Sequence, residues 1–319
     1  MENSQKRLEL YRNMLLIRRF EEKLTELCKI EQKLPGMIIL CTGQEAVAAG
    51  VCGALEKEDV IISNHRSHGH LLAKGADPKG IMAEIFGKST GCNRGKSGTL
   101  HIAVPEVNAL CTTTVVGGGI PIAVGTAFAQ QYQKSNHVTA CFFGNGAADE
   151  GSFHESLNMA ALWNLPVLFI CENNVYSGAQ RLEEHTKVKD LASRATGYAM
   201  PGVVVDGNDA VAVYEATAQA RTRCLAGEGP TLIECKTYRW RGHGEADHQV
   251  YQPKDEIARW MERCPVQKIQ NELLQQGLLT EEEIKRIEDE VQETVQGAVQ
   301  FAEESPWPAP HEALEDVYA

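Results

Sequence analysis

Two polar bends, each following an apolar segment, carry residue types that could hold a charged ligand. Gly144-Asn145-Gly146 ends one apolar run, and Asn173-Asn174 ends the next. Glycines let the backbone approach a ligand closely, and side-chain amide oxygens can ligate a hard cation. The segment between the bends has a helical pattern, and the free N–H groups at a helix start suit a phosphate. Together these features predict a site for a divalent cation and a diphosphate.

Strand-like and helical segments alternate through the middle of the chain and would position the two bends. Strands are predicted at 59–63, 138–144, 166–174, 202–209 and 229–240, and helices at 43–55, 80–87, 150–164 and 210–226. This alternation is typical of an α/β fold with a mostly parallel sheet and helices on both faces. Because the carboxyl ends of parallel strands meet at one edge of the sheet, the two bends should lie side by side.

Helical patterns also occupy both ends of the chain. Apolar residues recur at helical spacing over residues 5–30. Near the C-terminus, Thr280 and Glu283 form a capping box for a helix that prolines at 306–310 should stop. No internal repeat or linker marks a boundary. We therefore expect a single domain over residues 1–319, with helical N- and C-terminal extensions.

The composition argues against several classes of partner and of cellular location. The 319 residues are 43% apolar, and the formal net charge of -12 comes with no long block of Lys or Arg. This balance argues against nucleic acid or an anionic membrane as a partner. The 10 cysteines form no CxxC pair and are typical of reduced core residues. No apolar run is long enough to span a membrane, and the N-terminus lacks a signal-peptide core, so a cytoplasmic protein is expected.

The two bends also resemble a known family. Gly-Asn-Gly followed by Asn-Asn is similar to the Gly-Asp-Gly and Asn-Asn pattern of thiamine diphosphate enzymes. Further segments resemble, in the same order, the alpha subunits of thiamine diphosphate-dependent dehydrogenases in the 2-oxo acid and acetoin dehydrogenase complexes: "YRNMLLIRRFEEKL", "TGQEA", "HRSHGHLLAKG", "GKSGTLHIA" and "YRWRGHGEAD". Of these, "HRSHGHLLAKG" and "GHGEAD" are most similar to acetoin dehydrogenase alpha subunits. The resemblance covers nearly the whole chain and implies the thiamine diphosphate-binding fold.

The resemblance implies a magnesium site. Asn145 and Asn174 would ligate Mg²⁺ through their side chains, and Tyr176 through its backbone carbonyl. Asn145 stands where the family usually carries an acid. One negative charge is therefore missing beside the cation, and we expect weaker magnesium binding.

The resemblance also implies residues that contact thiamine diphosphate. Arg66 and His243 would contact the diphosphate, and His243 would also be catalytic by assisting proton movement. His65 occupies a position where relatives often carry Tyr, and the backbone of Val116 would contact the aminopyrimidine. The backbone of the glycine bend would approach the diphosphate at Gly144, Gly146 and Ala147.

Partners follow from the same resemblance. A beta subunit would complete an α2β2 enzyme and supply the glutamate that activates the cofactor, so this chain would be about half of an active site. The small-molecule substrate would be acetoin, cleaved with release of acetaldehyde, or a 2-oxo acid such as pyruvate, decarboxylated instead. A lipoyl acyltransferase component would accept the acyl group.

Three alternatives stay open from the sequence. Asn145 could mark a weakly active or non-catalytic subunit. The glycine bend could belong to a nicotinamide-dependent oxidoreductase with Glu172 as the ribose-binding acid, although the third glycine, Gly151, breaks the G-x-G-x-x-G spacing. The histidines at 65, 68 and 70 could suggest a metal site, but hydrogen-bonded polar residues are the simpler interpretation.

Overall fold

The computed structural model describes residues 2–316, which fold into helices around a parallel sheet. The α-helices are α1 (Glu2–Lys29), α2 (Glu45–Ala54), α3 (His68–Ala73), α4 (Pro78–Ile85), α5 (Gly119–Tyr132), α6 (Gly151–Leu162), α7 (Leu182–His185), α8 (Ala210–Leu225), α9 (Lys254–Met261), α10 (Pro265–Gln275) and α11 (Glu281–Glu304). The strands are β1 (Val60–Ser63), β2 (Ala109–Thr112), β3 (Thr139–Gly144), β4 (Val167–Asn173), β5 (Tyr176–Ser177), β6 (Gln180–Arg181), β7 (Gly202–Asp206) and β8 (Thr231–Lys236).

Six of the strands form one sheet in the order β2-β1-β3-β4-β8-β7, and every neighbouring pair is parallel. The predicted α/β fold is therefore confirmed. β5 and β6 form a separate antiparallel pair. In the β3–β4 register, Gly144 lies opposite Glu172, which puts the two polar bends next to each other as expected.

Alternate residues of the central strands face two separate apolar cores. Phe142 of β3 and Ile170 of β4 belong to a core that also contains residues of α1, α2, α4, α8 and α11. Their neighbours Phe143 and Phe169 belong to a core with residues of α5 and α6. This alternation explains why the strands read as continuous apolar runs, since both faces of the sheet are covered.

Among the elements that the sequence did not predict are β2 and α5, which lie in or just after residues 87–119, a passage rich in Gly, Ser and Thr. β2 is a short edge strand with an irregular register, and α5 is rich in small residues, so neither has a strong periodic pattern. The strand predicted over 229–240 ends earlier, at Lys236, although Thr237 N still donates to Asn173 O of β4 at 2.9 Å.

Both terminal helical segments are confirmed. The capping box of α11 is present: Thr280 N donates to Glu283 Oε2 at 2.9 Å, and Glu283 N donates to Thr280 Oγ1 at 3.2 Å. α11 ends at Glu304, before Pro306. Over residues 2–316, none of the helices has both the length and the apolar character that crossing a bilayer requires.

Candidate functional site

A cleft opens at the carboxyl ends of β1, β3 and β4, and it encloses about 710 Å³ including its open mouth. All of the residues assigned from the resemblance line this cleft: His65, Arg66, Val116, Gly144, Asn145, Gly146, Ala147, Asn174, Tyr176 and His243. Residues far apart in the sequence are thus brought together in one place. Their individual roles toward a cofactor stay predictions.

Asn145 begins a 3-10 turn (Asn145–Asp149), and α6 starts only after that turn. The residue is 1% exposed, and neither Oδ1 nor Nδ2 has a hydrogen-bond partner within the described residues. A buried amide without partners is costly and therefore rare in proteins. Its chemistry fits a missing ligand: Oδ1 can bind a cation, and Nδ2 can donate to an oxygen of a diphosphate.

Asn174 lies just past β4 with its side-chain amide held in one direction. Nδ2 donates to Oε1 of Gln44 at 3.1 Å, and Oδ1 accepts from the backbone N–H of Tyr176 at 3.4 Å. Between them, Val175 has a φ of +76°. This conformation is a genuine outlier for a β-branched residue. The predicted cation loop therefore stores backbone strain.

Gly146 of the first bend lies against Ser177 of β5, which follows the second bend. A Cβ atom at position 146 would lie 2.2 Å from Oγ of Ser177, so Ser177 would have to move to admit a side chain larger than hydrogen. Glycine is needed here because of this contact within the protein, in addition to any approach of a ligand.

Two buried arginines give the cleft its positive charge. Arg66 donates from Nη1 to Leu40 O at 2.7 Å and from Nη2 to His243 O at 2.9 Å. Burial, assisted by the charge of Arg239, lowers the pKa of Arg66 to about 10, so Arg66 remains a cation at neutral pH. Arg239 is 1% exposed and donates from Nη2 to Tyr251 Oη at 2.7 Å. Arg239 belongs to the segment "YRWRGHGEAD" but was not among the site residues predicted from it.

The cleft also contains a pair of imidazoles, His65 and His243, whose ring centroids are 5.6 Å apart. Burial, followed by the charge of Arg66, lowers the pKa of His65 to about 3. Burial also lowers the pKa of His243, with further contributions from Arg66 and Arg239. Nδ1 of His243 lies 3.4 Å from Nη2 of Arg66, which can only donate. The proton of uncharged His243 therefore resides on Nε2.

Glu172 lies among these lining residues but is already engaged by His70 and Asn64, at 3.1 and 2.8 Å. His68 is likewise bonded, with Nδ1 2.7 Å from Oε1 of Glu21. The interpretation of His68 and His70 as hydrogen-bonded polar residues is therefore confirmed. Residues 2–316 contain no group of three or more His, Cys, Asp and Glu side chains arranged for a metal ion.

Comparison with known proteins gives a consistent family. The model of the dehydrogenase E1 component family matches residues 12–311. The chain is 47% identical to the alpha subunit of acetoin:2,6-dichlorophenolindophenol oxidoreductase from Bacillus subtilis (strain 168), over 98% of this chain and 94% of that protein. It is 40% identical to the protein of the same name from Cupriavidus necator, over 98% of this chain and 93% of that protein. It is also 40% identical to the chloroplastic pyruvate dehydrogenase E1 component subunit alpha-3 of Arabidopsis thaliana, over 98% and 74%.

These similarities confirm the resemblance to thiamine diphosphate-dependent dehydrogenase alpha subunits that the motifs indicated. The match extends over almost all of the chain and includes every residue that lines the cleft. The chain thus belongs to the dehydrogenase E1 component family.

Proposed function

We propose that the chain binds magnesium and thiamine diphosphate in this cleft, as the alpha subunit of an acetoin dehydrogenase. A beta subunit would close the cleft, and the acyl group derived from acetoin would pass to a lipoyl carrier. The observation that carries the proposal is the buried amide of Asn145, which has no hydrogen-bond partner among residues 2–316 on either polar atom and lies in a cleft lined by two arginines. Acetoin is preferred to pyruvate because a relative named for acetoin oxidation reaches 47% identity, whereas the pyruvate dehydrogenase subunit of Arabidopsis thaliana reaches 40%.

The residues of the chain have distinct tasks in this proposal. Arg66 and Arg239 would neutralise the diphosphate, since buried guanidinium groups remain charged and present several donors. Asn145, Asn174 and the Tyr176 carbonyl would hold Mg²⁺ with neutral oxygens, so the diphosphate must supply the negative charge around the ion. Magnesium should therefore bind well only together with a diphosphate.

His243 would act on the substrate side of the cleft. Since its Nδ1 faces Arg66, its Nε2–H is the atom that can donate a proton to a substrate oxygen and take one back. Thiamine diphosphate, when bound, supplies the nucleophilic carbon and accepts the electron pair when the bond next to the carbonyl breaks. The apolar residues Val115 and Val116 at the mouth would limit the access of water once a partner covers them.

Co-expression with candidate beta chains tests the proposal. The assembled enzyme should oxidise acetoin with 2,6-dichlorophenolindophenol, or with a lipoylated acyltransferase, only when magnesium and thiamine diphosphate are present. Pyruvate and other 2-oxo acids should be poorer substrates. Arg66→Ala should abolish activity, whereas Arg259→Ala, which removes a 69% exposed side chain, should not.

Other outcomes would favour the alternatives. Full assembly without retention of thiamine diphosphate in excess magnesium would indicate a non-catalytic subunit. Thermal protection by a nicotinamide cofactor, with none from thiamine diphosphate, would favour the nicotinamide-dependent oxidoreductase. Turnover of pyruvate in preference to acetoin would overturn the substrate assignment alone.

A further inference from the structure

Glu172 is the only carboxylate among the residues described as lining the cleft. It is 2% exposed and lies at the end of β4, two residues before Asn174. A carboxylate beside a bound diphosphate repels the ligand. The hydrogen bonds of the Glu172 carboxylate indicate a structural role that offsets this repulsion.

Both carboxylate oxygens of Glu172 accept hydrogen bonds from the segment that follows β1, which consists of a loop with Asn64 and then α3 with His70. Oε1 lies 3.1 Å from Nε2 of His70, and Oε2 lies 2.8 Å from Nδ2 of Asn64. The His70 ring is itself fixed, because Nδ1 lies 2.8 Å from Oγ of Ser63 and the ring stacks on Phe142 with centroids 3.9 Å apart. Since β3 lies between β1 and β4, Glu172 ties this segment across the end of an intervening strand.

Glu172 also determines the direction of the Asn64 amide. A carboxylate only accepts, so Nδ2 of Asn64 must face Glu172, and Oδ1 of Asn64 then faces the backbone N–H of Arg66 at 2.7 Å. The backbone of Arg66 is thereby fixed at the point where its guanidinium enters the cleft. The two hydrogen bonds that the guanidinium makes to backbone oxygens, of Leu40 and His243, leave other N–H groups of its fork for an anion.

We propose that Glu172 is a positioning residue: through Asn64 it holds Arg66 in the orientation that receives the diphosphate. This inference rests on the proposed function in that the ligand is a diphosphate. The direction in which diphosphate affinity changes when Glu172 is removed distinguishes a positioning role from a purely electrostatic role. Removal of a nearby negative charge alone strengthens the binding of an anion, whereas loss of positioning weakens it despite the removed repulsion.

The test is isothermal titration of inorganic pyrophosphate, at fixed magnesium, into the full chain assembled with its beta subunit. Glu172→Ala should weaken binding by about tenfold, because Asn64 and Arg66 lose their fixed direction. Glu172→Gln should bind pyrophosphate as tightly as the wild type or more tightly, since the amide oxygen accepts from Asn64, the amide nitrogen can face a His70 ring in its other tautomer, and the repelling charge is removed. Asn64→Ala should resemble Glu172→Ala and serves in its place if Glu172→Ala does not fold.

A double-mutant cycle and a control complete the design. If Glu172 acts through Asn64, the double variant should bind no more weakly than the weaker single variant. Asp59→Ala removes a buried carboxylate that accepts from Val138 N and from Arg221 at the opposite end of β1, so it should lower stability but leave pyrophosphate affinity unchanged.

Several results would overturn the inference. Pyrophosphate binding that is unchanged or tighter in Glu172→Ala, with a normally binding wild type, would overturn it alone and leave the proposed function standing. Additive losses in the double variant would show that the two residues act separately and would also overturn it. A wild-type complex that binds no pyrophosphate would overturn both.

Discussion

Nδ2 of Asn174 donates to Oε1 of Gln44 across 3.1 Å, which joins the end of β4 to the residue that precedes α2. Gln44 belongs to the family motif "TGQEA", but the sequence leaves open whether it serves the site or only makes a buried structural hydrogen bond. The backbone N–H of Tyr176 donates to Oδ1 of the same amide. The two contacts therefore fix the orientation of the Asn174 amide and so the direction in which Oδ1 can be presented to a cation.

Replacing Gln44 should therefore change cation binding. Gln44→Leu should weaken the binding of magnesium pyrophosphate by about tenfold, because the Asn174 amide loses its fixed orientation. Gln44→Glu keeps an acceptor for Asn174, so its affinity should stay within about twofold of that of the wild type. Calorimetric titration of the three proteins measures this, and equal affinities would exclude a role for Gln44.

Replacing Asn145 by Asp should lower the magnesium concentration needed for half-maximal activity of the assembled enzyme, since an acid adds negative charge at the cation. Without ligands, Asn145→Asp should reduce the free energy of unfolding by about 1–3 kcal/mol, because a carboxylate then replaces the amide at a buried position that offers it no partner. Magnesium with thiamine diphosphate should then raise the melting temperature more than in the wild type.

Asn208→Asp is the matched control for this prediction. Asn208 is also buried, but both of its amide atoms are paired, with Arg263 O and with Thr237 Oγ1, each at 2.8 Å. Its replacement should destabilise the protein without any rescue by magnesium. A magnesium titration of Asn145→Asp that coincides with that of the wild type would contradict a metal role for residue 145.

Val175 is the only β-branched residue with a positive φ in the part of the chain that the structure describes. Strain of this kind costs roughly 1–3 kcal/mol. Val175→Gly should remove it and offset the greater freedom of glycine in the unfolded chain, so the free energy of unfolding should be unchanged or higher. Val205→Gly, at an ordinary position in β7, should lower it. Urea denaturation compares the two glycine variants with the wild type. Equal losses in the free energy of unfolding would show that Val175 is not strained.

Stability should fall when the pH drops below about 6.5, the ordinary pKa of histidine. The folded-state pKa of His65 is about 3 and that of His243 is also lowered, both chiefly by burial. Between the lowered and the ordinary values, the unfolded chain binds protons that the folded chain does not. Each such histidine therefore lowers the free energy of unfolding by about 1.4 kcal/mol per pH unit of further acidification.

Denaturation measured at pH 7.5 and at pH 5.5, each about one unit from the ordinary pKa of histidine, checks whether the free energy of unfolding falls on acidification. His65→Asn should reduce the loss of stability at the lower pH, whereas replacement of the exposed His311 by Asn should not. If His65→Asn and the wild type lose the same stability on acidification, His65 is not the group responsible.

The α/β class, the parallel pairing of the two strands that carry the bends, and ten of the residues that line the cleft could all be predicted from the sequence. These features depend on local apolar runs, on turn residues and on motif order, which are properties of short segments. The sequence did not indicate β2 or α5, because an edge strand and a helix of small residues lack a strong periodic pattern.

How the site is held together became visible only in the folded chain. Arg239 lines the cleft from a segment far along the sequence, Gln44 holds Asn174 from the residue before α2, and Glu172 binds Asn64 and His70 across the end of β3. The neighbours of these residues in the sequence do not show whether their partners are water, backbone or other side chains. The same holds for Asn145: its type suggested a cation ligand, but only the packing around it removes every other hydrogen-bond partner. Hydrogen-bond satisfaction depends on which groups fold into contact, and a linear pattern does not encode that directly.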